Sequence, residues 1–320
     1  MKLVWFSYAC TVVLGSVLIA FVLWIFNPLS SSPFGIEAPI PAFLSRIVNK
    51  EVTTTDLFHP VIQVAGAETI QAPVISAKSA LIYDMDTEKT LYAKSQKSRL
   101  PMASLTKIMT AIVALENPQQ QYTVSSADLV GEDSMGLTSG ETLTLEELLY
   151  GMLLPSGNDA AETIANNYPE GRDMFIKKMN EKAVSLGLTD TNFTNPSGLQ
   201  GDGEQYTTVY DLLVMTNYAL NTFPLFRQIV AIYQHDIPAT SQHKSYTLYN
   251  ETNLLTTYPG VKGVKTGFTY EAGYCLVTYL TYGGHHIIGV ILGSENRREE
   301  MKELLDYSLL SLGTHPPAHN

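Results

Sequence analysis

A serine and a lysine three residues apart, Ser104 and Lys107, open a run in which Ile108, Ala111, Ile112 and Leu115 recur at helical spacing. That spacing predicts a buried helix over 104–116 with both polar groups on one face of its first turn, so the lysine nitrogen reaches the serine oxygen. The positive end of the helix dipole favours an oxyanion and disfavours a charged ammonium, and a neutral Lys107 is able to act as a base toward Ser104. Taken alone, the pair equally describes a helix cap beside a solvated lysine. A second copy, Ser241-Gln242-His243-Lys244, lies in a polar stretch and needs no function. Ser156-Gly157-Asn158 falls in a turn between two helical patterns, where it also fits an N-cap, and Ser294-Glu295-Asn296 is a chance copy of the triplet. Lys265-Thr266-Gly267 occurs once, at the end of a run read as an inner strand. A lysine and a threonine there, beside a glycine that lets another backbone approach closely, form a receptor for an extended peptide ending in a carboxylate.

The elements that must bring these groups together are legible as patterns. Residues 79–83 and 90–93 read as two strands around a polar turn, and this hairpin opens the domain. Helical patterns cover 145–154, 160–167, 172–186 and 209–220, interrupted by loops at Asn195-Pro196-Ser197-Gly198 and Gly201-Asp202-Gly203. Strand-like runs return over 261–266, 273–282 and 286–292, with Gly283-Gly284 as a hairpin turn, and a helix closes the chain over 297–312. Strands, helices, strands and a helix, joined by hairpins, predict an α+β fold: an antiparallel sheet flanked by helices, with a helical lobe of about 117–245 inserted. A chain of 320 residues with 45% hydrophobic content is long enough to bury one sizeable core.

The three polar elements follow one another in the order Ser-x-x-Lys, Ser-x-Asn, Lys-Thr-Gly, which is the set found in penicillin-binding proteins and class A β-lactamases. From about residue 75 to 312 the chain resembles the low-molecular-mass penicillin-binding D-Ala-D-Ala carboxypeptidases of the peptidase S11 type. The resembling runs are Ala77-Lys78-Ser79-Ala80, Ser104-Leu105-Thr106-Lys107-Ile108-Met109-Thr110-Ala111 and Ser156-Gly157-Asn158-Asp159-Ala160-Ala161. Asn195-Pro196-Ser197-Gly198-Leu199, Gly263-Val264-Lys265-Thr266-Gly267-Phe268-Thr269 and Ala272-Gly273-Tyr274 complete them. The resemblance implies a β-lactamase/DD-peptidase-like fold and a covalent mechanism without metal or cofactor. Ser104 would attack the amide between two terminal D-alanines, with Lys107 taking its proton. Ser156 and Lys265 would relay a proton to the leaving amine, and Asn158 would hold Lys107 and the substrate. Thr266 would bind the terminal carboxylate, and Gly267 would line that subsite. Phe268 would supply, with Ser104, the backbone N–H groups of the oxyanion hole. Arg297, or its neighbour Arg298, matches an additional carboxylate-binding arginine of the family. Peptidoglycan stem peptides are the implied substrate, and β-lactams the implied covalent inhibitors.

Two departures stand out. Relatives often continue into a β-rich C-terminal domain with an amphipathic membrane helix, whereas here the anchor is expected at the N-terminus. His285-His286 stands where relatives often carry arginine, and reads as a surface hairpin difference with too few ligands for a metal. No His-Glu-x-x-His or Gly-x-Ser-x-Gly is present, which argues against a zinc peptidase and an α/β-hydrolase. A β-lactamase remains an alternative, although no glutamate in the middle region matches a class A deacylation base. A DD-endopeptidase with the same residues and a non-catalytic muropeptide receptor also remain open.

The net charge of −11, with no cluster of Lys or Arg, argues against nucleic acid. Leu3 to Phe26 carries no charge; these 24 residues would reach ~36 Å as a helix, against a hydrocarbon thickness of ~30 Å. With Lys2 as the only preceding charge, the expectation is a single-pass anchor over 1–26, with a cleaved signal peptide as its rival. A proline-rich extracytoplasmic tether is expected over 27–74, with an amphipathic scrap at 43–48, followed by the catalytic domain over 75–320. Cys10 and Cys275 belong to different environments, so no disulfide is expected, and Cys275 reads as a small buried hydrophobe.

Overall fold

A computed structural model describes residues 57–60, 70–199 and 204–319. The expected anchor, the amphipathic scrap at 43–48 and Cys10 lie outside those residues. Within the stretch read as a tether, Leu57 and Phe58 pack against the main core, Phe58 meeting the Tyr83 ring edge-on at 5.6 Å.

The sheet is built from β1 (Ser79–Asp84), β2 (Lys89–Lys94), β7 (Val261–Thr269), β8 (Gly273–Tyr282) and β9 (His285–Ser294). Two short pairs, β3 (Tyr122–Thr123) with β4 (Thr142–Leu143) and β5 (Gln234–Ile237) with β6 (Tyr246–Tyr249), stand apart from it. The helices are α1 (Lys107–Glu116), α2 (Leu145–Leu153), α3 (Asn158–Asn166), α4 (Arg172–Ser185), α5 (Val209–Thr222), α6 (Pro224–Val230), α7 (Leu254–Thr257) and α8 (Arg297–Ser311).

The five strands run β2-β1-β9-β8-β7, antiparallel throughout, so the opening hairpin and the last three strands share one sheet. The α+β class read from the element order is therefore the one observed, but the strand carrying Lys265 corrects one expectation. It is an edge strand and not an inner one, because chain order places β7 outermost after β9 has paired with β1. An edge leaves one row of backbone groups unpaired by the sheet, which suits a receptor for an extended chain better than an inner strand does.

Both faces of the sheet are covered, and the two-residue period of the strands sorts side chains between them. Ala80, Ile82, Ile287 and Ile291 face Met301, Leu304, Leu305 and Leu309 of α8. Leu81, Tyr83, Ile288, Val290 and Leu292 face the larger core built with the other helices. In the middle of that core α1 buries Ile108, Met109, Ala111, Ile112, Val113 and Ala114, leaving only its last residues near solvent. Local signals set the surrounding helices: Thr144 caps α2 by accepting from Glu147 N, Thr208 caps α5 by accepting from Asp211 N, and Pro224 starts α6.

The His285-His286 hairpin lies beside the β1–β2 turn. His285 Nδ1 sits 3.1 Å from Asp84 Oδ2 and His286 Nδ1 3.0 Å from Asp86 Oδ1. Asp84 also accepts from Thr87 Oγ1 at 2.7 Å and Asp86 N at 3.3 Å, so hydrogen bonding within the two turns accounts for the cluster.

Glu300 joins the ends of the folded unit. It accepts from Ser76 N at 2.5 Å, Ala77 N at 3.3 Å and Ser294 Oγ at 2.6 Å. Glu300→Ala strands those donors in poorly hydrated surroundings and is expected to cost about 2–3 kcal/mol. The denaturant midpoint should fall accordingly with an unchanged slope; an unshifted midpoint would show that the carboxylate clasp is dispensable.

Candidate active site

Helix α1 is preceded by a 3-10 turn, Ala103–Thr106, so Ser104 stands just ahead of the helix proper and not in its first α-turn as the periodicity had it. The reason is local: Ala103 adopts φ 49°, which no α-helix accommodates, and Thr106 Oγ1 folds back to donate to Ala103 O at 2.8 Å. Strain of this kind persists only where neighbours enforce it. Gly198, at φ 86°, lies flat against the Ala103–Ser104 peptide, where an added Cβ would come 2.1 Å from Ala103 O and 2.9 Å from Ser104 N. Gly198 is held in turn by Asn195 Oδ1, which accepts from its N–H at 2.7 Å.

Lys107 is fully buried and its nitrogen has three partners: Ser104 Oγ at 2.9 Å, Asn158 Oδ1 at 2.7 Å and the Ser197 carbonyl at 2.6 Å. Two of these oxygens can only accept, whereas the serine hydroxyl can also donate. A neutral amine fits this arrangement: its two N–H bonds go to Asn158 and Ser197, leaving its lone pair for the Ser104 proton. Burial and the nearby Lys265 charge both push the Lys107 ammonium well below the ordinary lysine range, against the opposing carboxylates of Asp133, Glu251 and Asp159.

The second element sits in the α2–α3 turn. Ser156 is buried at φ 63°, and Gly157 N donates to Gly151 O at 3.0 Å. The N-cap is Gly157 and provides no side-chain cap, so the capping reading of this triplet does not hold: the Asn158 side chain goes to Lys107. Asp159 fastens the turn to a neighbouring loop by accepting from Ser134 Oγ at 2.5 Å, Met135 N at 3.0 Å and Leu137 N at 2.9 Å.

The third element is the outer strand. Lys265 is buried, donates to Thr266 O at 3.1 Å, and is pulled down to about 8 by burial and by Arg297, against Glu251 and Asp133. Gly267 passes so close to Ser104 that a Cβ there would lie 3.0 Å from Ser104 N and 3.1 Å from the Ala103 side chain. Arg297, at the start of α8, donates to Gly267 O at 2.7 Å with its guanidinium over the Tyr274 ring. Arg298 pairs instead with Glu299, so of the two arginines it is Arg297 that touches the outer strand. The Phe268 side chain is exposed, its ring tilted at 33° against Tyr274 with centroids 4.7 Å apart. Thr266 is buried, and its hydroxyl donates to Glu251 at 3.1 Å.

Ser104, Lys107 and Asn158 are thus joined by direct hydrogen bonds. Gly267 touches Ser104, Lys265 acts on Lys107 through its charge, and Arg297 reaches the cluster through Gly267. Three participants were not singled out from sequence: the Ser197 carbonyl, Gly198 and Glu251. The first two lie in the Asn195–Leu199 run, whose Pro-Ser-Gly marks a turn without saying what the turn packs on. Glu251 carries no sequence signal. The second Ser-x-x-Lys copy falls in an exposed hairpin, with Lys244 bound to Thr138 Oγ1.

A family model described as peptidase S11, D-alanyl-D-alanine carboxypeptidase, matches residues 66–296. The chain belongs to that family of serine-type D-Ala-D-Ala carboxypeptidases. D-alanyl-D-alanine carboxypeptidase DacF of Bacillus subtilis is 36% identical over 251 residues, covering 75% of this chain but only 64% of DacF itself. A D-alanyl-D-alanine endopeptidase of Escherichia coli is 35% identical over 225 residues, 68% of this chain and 71% of that protein. Among solved structures, the Streptomyces K15 DD-transpeptidase superposes with a TM-score of 0.71 at 33% identity, covering 75% of this chain and all of its own (100%).

Within this S11 peptidase, Gly198 tests whether the turn before α1 is enforced from outside. Gly198→Ala combines a positive φ with a backbone collision and is expected to cost about 2–3 kcal/mol. Penicillin acylation should slow by at least about tenfold, the equivalent of ~1.4 kcal/mol in the barrier. Unchanged acylation in the folded variant would show that Ser104 is placed by its own turn alone.

Proposed function

We propose that this peptidase removes the terminal D-Ala from peptidoglycan stem peptides through an acyl-enzyme on Ser104. The observation that supports this most directly is the Lys107 nitrogen, which lies within hydrogen-bonding distance of Ser104 Oγ and of Asn158 Oδ1 at once. With its lone pair toward the hydroxyl, Lys107 takes the serine proton as Oγ attacks the amide carbonyl between the two D-alanines. The oxyanion that forms is stabilised by the backbone N–H groups of Ser104 and Phe268. Collapse of the tetrahedral intermediate breaks the C–N bond, and a proton relayed through Ser156 and Lys265 leaves with the D-Ala amine. Asn158 steadies Lys107 and the substrate amide. Water then hydrolyses the ester, returning Ser104 and the shortened peptide.

Recognition of the departing residue falls to the terminal carboxylate. Lys265, Thr266 and Arg297 present two cations and a hydroxyl along the free edge of β7, with Gly267 allowing an extended peptide close approach. β-Lactams, which carry a carboxylate beside a strained amide, would enter the same site and acylate Ser104. The endopeptidase named among the relatives keeps one second reading in view, because cleavage of a cross-link uses the same groups. The two are separated by substrate: the proposed activity frees D-Ala from a monomeric pentapeptide faster than it cuts a cross-linked dimer.

Ser104→Ala is expected to abolish both covalent labelling by a fluorescent penicillin and D-Ala release, by at least about three orders of magnitude, while thermal unfolding is unchanged. Persistent labelling in that variant would remove Ser104 from its role.

We further propose that the uncharged segment from Leu3 to Phe26 anchors the enzyme in the cytoplasmic membrane with the catalytic unit outside. No helix among the described residues is long and apolar enough to cross a membrane, so this reading rests on the N-terminal segment. Protease added outside intact cells should release the catalytic unit; complete protection would reverse the orientation.

A further inference from the structure

Glu251 lies on no secondary-structure element and in none of the three motifs, yet it touches two of the segments that build the site. Its N–H donates to Leu154 O at 3.1 Å, two residues before Ser156, and its carboxylate accepts from Thr266 Oγ1 at 3.1 Å. The backbone around it is locked: Asn250 Nδ2 donates to Val230 O at 3.2 Å and Ile232 O at 3.0 Å, while Asn250 Oδ1 accepts from Thr252 N at 2.8 Å. Glu251 is itself solvent-exposed, so what aims its carboxylate at the outer strand is this backbone and the single bond from Thr266.

Its neighbours explain why an anion is useful there. Lys107 and Lys265 are both buried, Arg297 is largely so, and in the free enzyme no substrate carboxylate balances them. Buried cations so placed tend to shed protons. Deprotonation suits Lys107 as a base but defeats Lys265 as a carboxylate ligand and proton donor. Burial disfavours the charge on Lys265 most, Arg297 adds to that, and Glu251 and Asp133 favour it, while Lys107 as a neutral amine adds no charge of its own. Of the neighbouring charges Glu251 has the largest effect on Lys265.

We propose that Glu251 is a positioning residue that stands in for the substrate carboxylate in the free enzyme, keeping Lys265 charged and Thr266 oriented until a peptide terminus arrives. This rests on the acyl-enzyme reading above. Thr266 has a single hydroxyl proton, so it cannot serve Glu251 and a bound carboxylate together. Substrate binding therefore transfers that hydrogen bond from Glu251 to the peptide. The exchange also accounts for an acidic residue beside a subsite that must bind an anion.

The test is the pH profile of kcat/KM for D-Ala release by the full-length enzyme, at low ionic strength. Lys265 must be protonated to work, so activity is lost as pH rises through its pKa, which burial brings down to about 8. Removing the nearby anion lowers that pKa, and the alkaline limb of Glu251→Gln should move down by about one pH unit. Glu251→Asp, which keeps the charge, should restore most of the shift, and raising the salt concentration should shrink it. A merely structural role would lower activity at all pH values without moving the limb. Penicillin labelling mapped to Ser104 is run alongside. A limb that stays in place while wild type and variant are both acylated at Ser104 overturns the role of Glu251 alone. Failure of the wild type to be acylated at Ser104 overturns the acyl-enzyme reading and this inference with it.

Discussion

The site depends on one buried amine. Lys107 Nζ reaches across 51 residues of chain to Asn158 and across 90 to the Ser197 carbonyl, and it closes the circuit on Ser104. A fully buried ammonium is costly to desolvate, and the fold meets that cost by favouring the neutral form and satisfying both N–H bonds. The same arrangement leaves a lone pair directed at the serine. Stability and reactivity thus make the same demand here: the state of Lys107 that burial favours is the one that takes a proton.

The surrounding architecture serves to bring three separate stretches of chain to that nitrogen. Pairing of β1 with β9 joins the two ends of the domain into one sheet, and this pushes β7 to the outside. Its Gly267 then slides against the Ser104 amide, while Arg297 at the start of α8 grips the Gly267 carbonyl from behind. The helical lobe supplies the other wall. Asp159 ties the Asn158 turn to the 134–137 loop, and Gly198 presses on the strained Ala103–Ser104 peptide. The contacts to Ser104 therefore come from different elements, and each element is held by hydrogen bonds of its own.

Charge balance adds a second constraint. A subsite for a carboxylate must be cationic, yet cations buried together lower one another's affinity for protons. Burial and Arg297 bring Lys265 down from the ordinary lysine range, and Glu251 and Asp133 oppose them. The Cys275 thiol is pushed up to about 11 by burial and so remains a neutral packing group, while its backbone carbonyl accepts from Arg297 at 3.5 Å.

Much of this was legible in the residues. The 3.6-residue and two-residue periods placed most helices and the last three strands within two or three positions of where they stand, because amphipathic burial is a local pattern read from neighbours in the chain. Ser104, Lys107, Asn158 and Lys265 could be picked out because the three spaced motifs that hold them are read from functional groups, and the structure brings those groups together. What sequence could not disclose depends on contacts between distant segments. The outer position of β7 follows from a pairing made by β1 and β9. The close packing of Gly198 on the Ala103–Ser104 peptide brings together residues nearly a hundred positions apart. The partnership of Glu251 with Thr266 follows from a loop whose own residues carry no pattern. A backbone carbonyl such as that of Ser197 has no side-chain identity at all, so only folding could assign it to Lys107. The chemistry was written in residue types, and the geometry that makes it usable arises where the chain crosses itself.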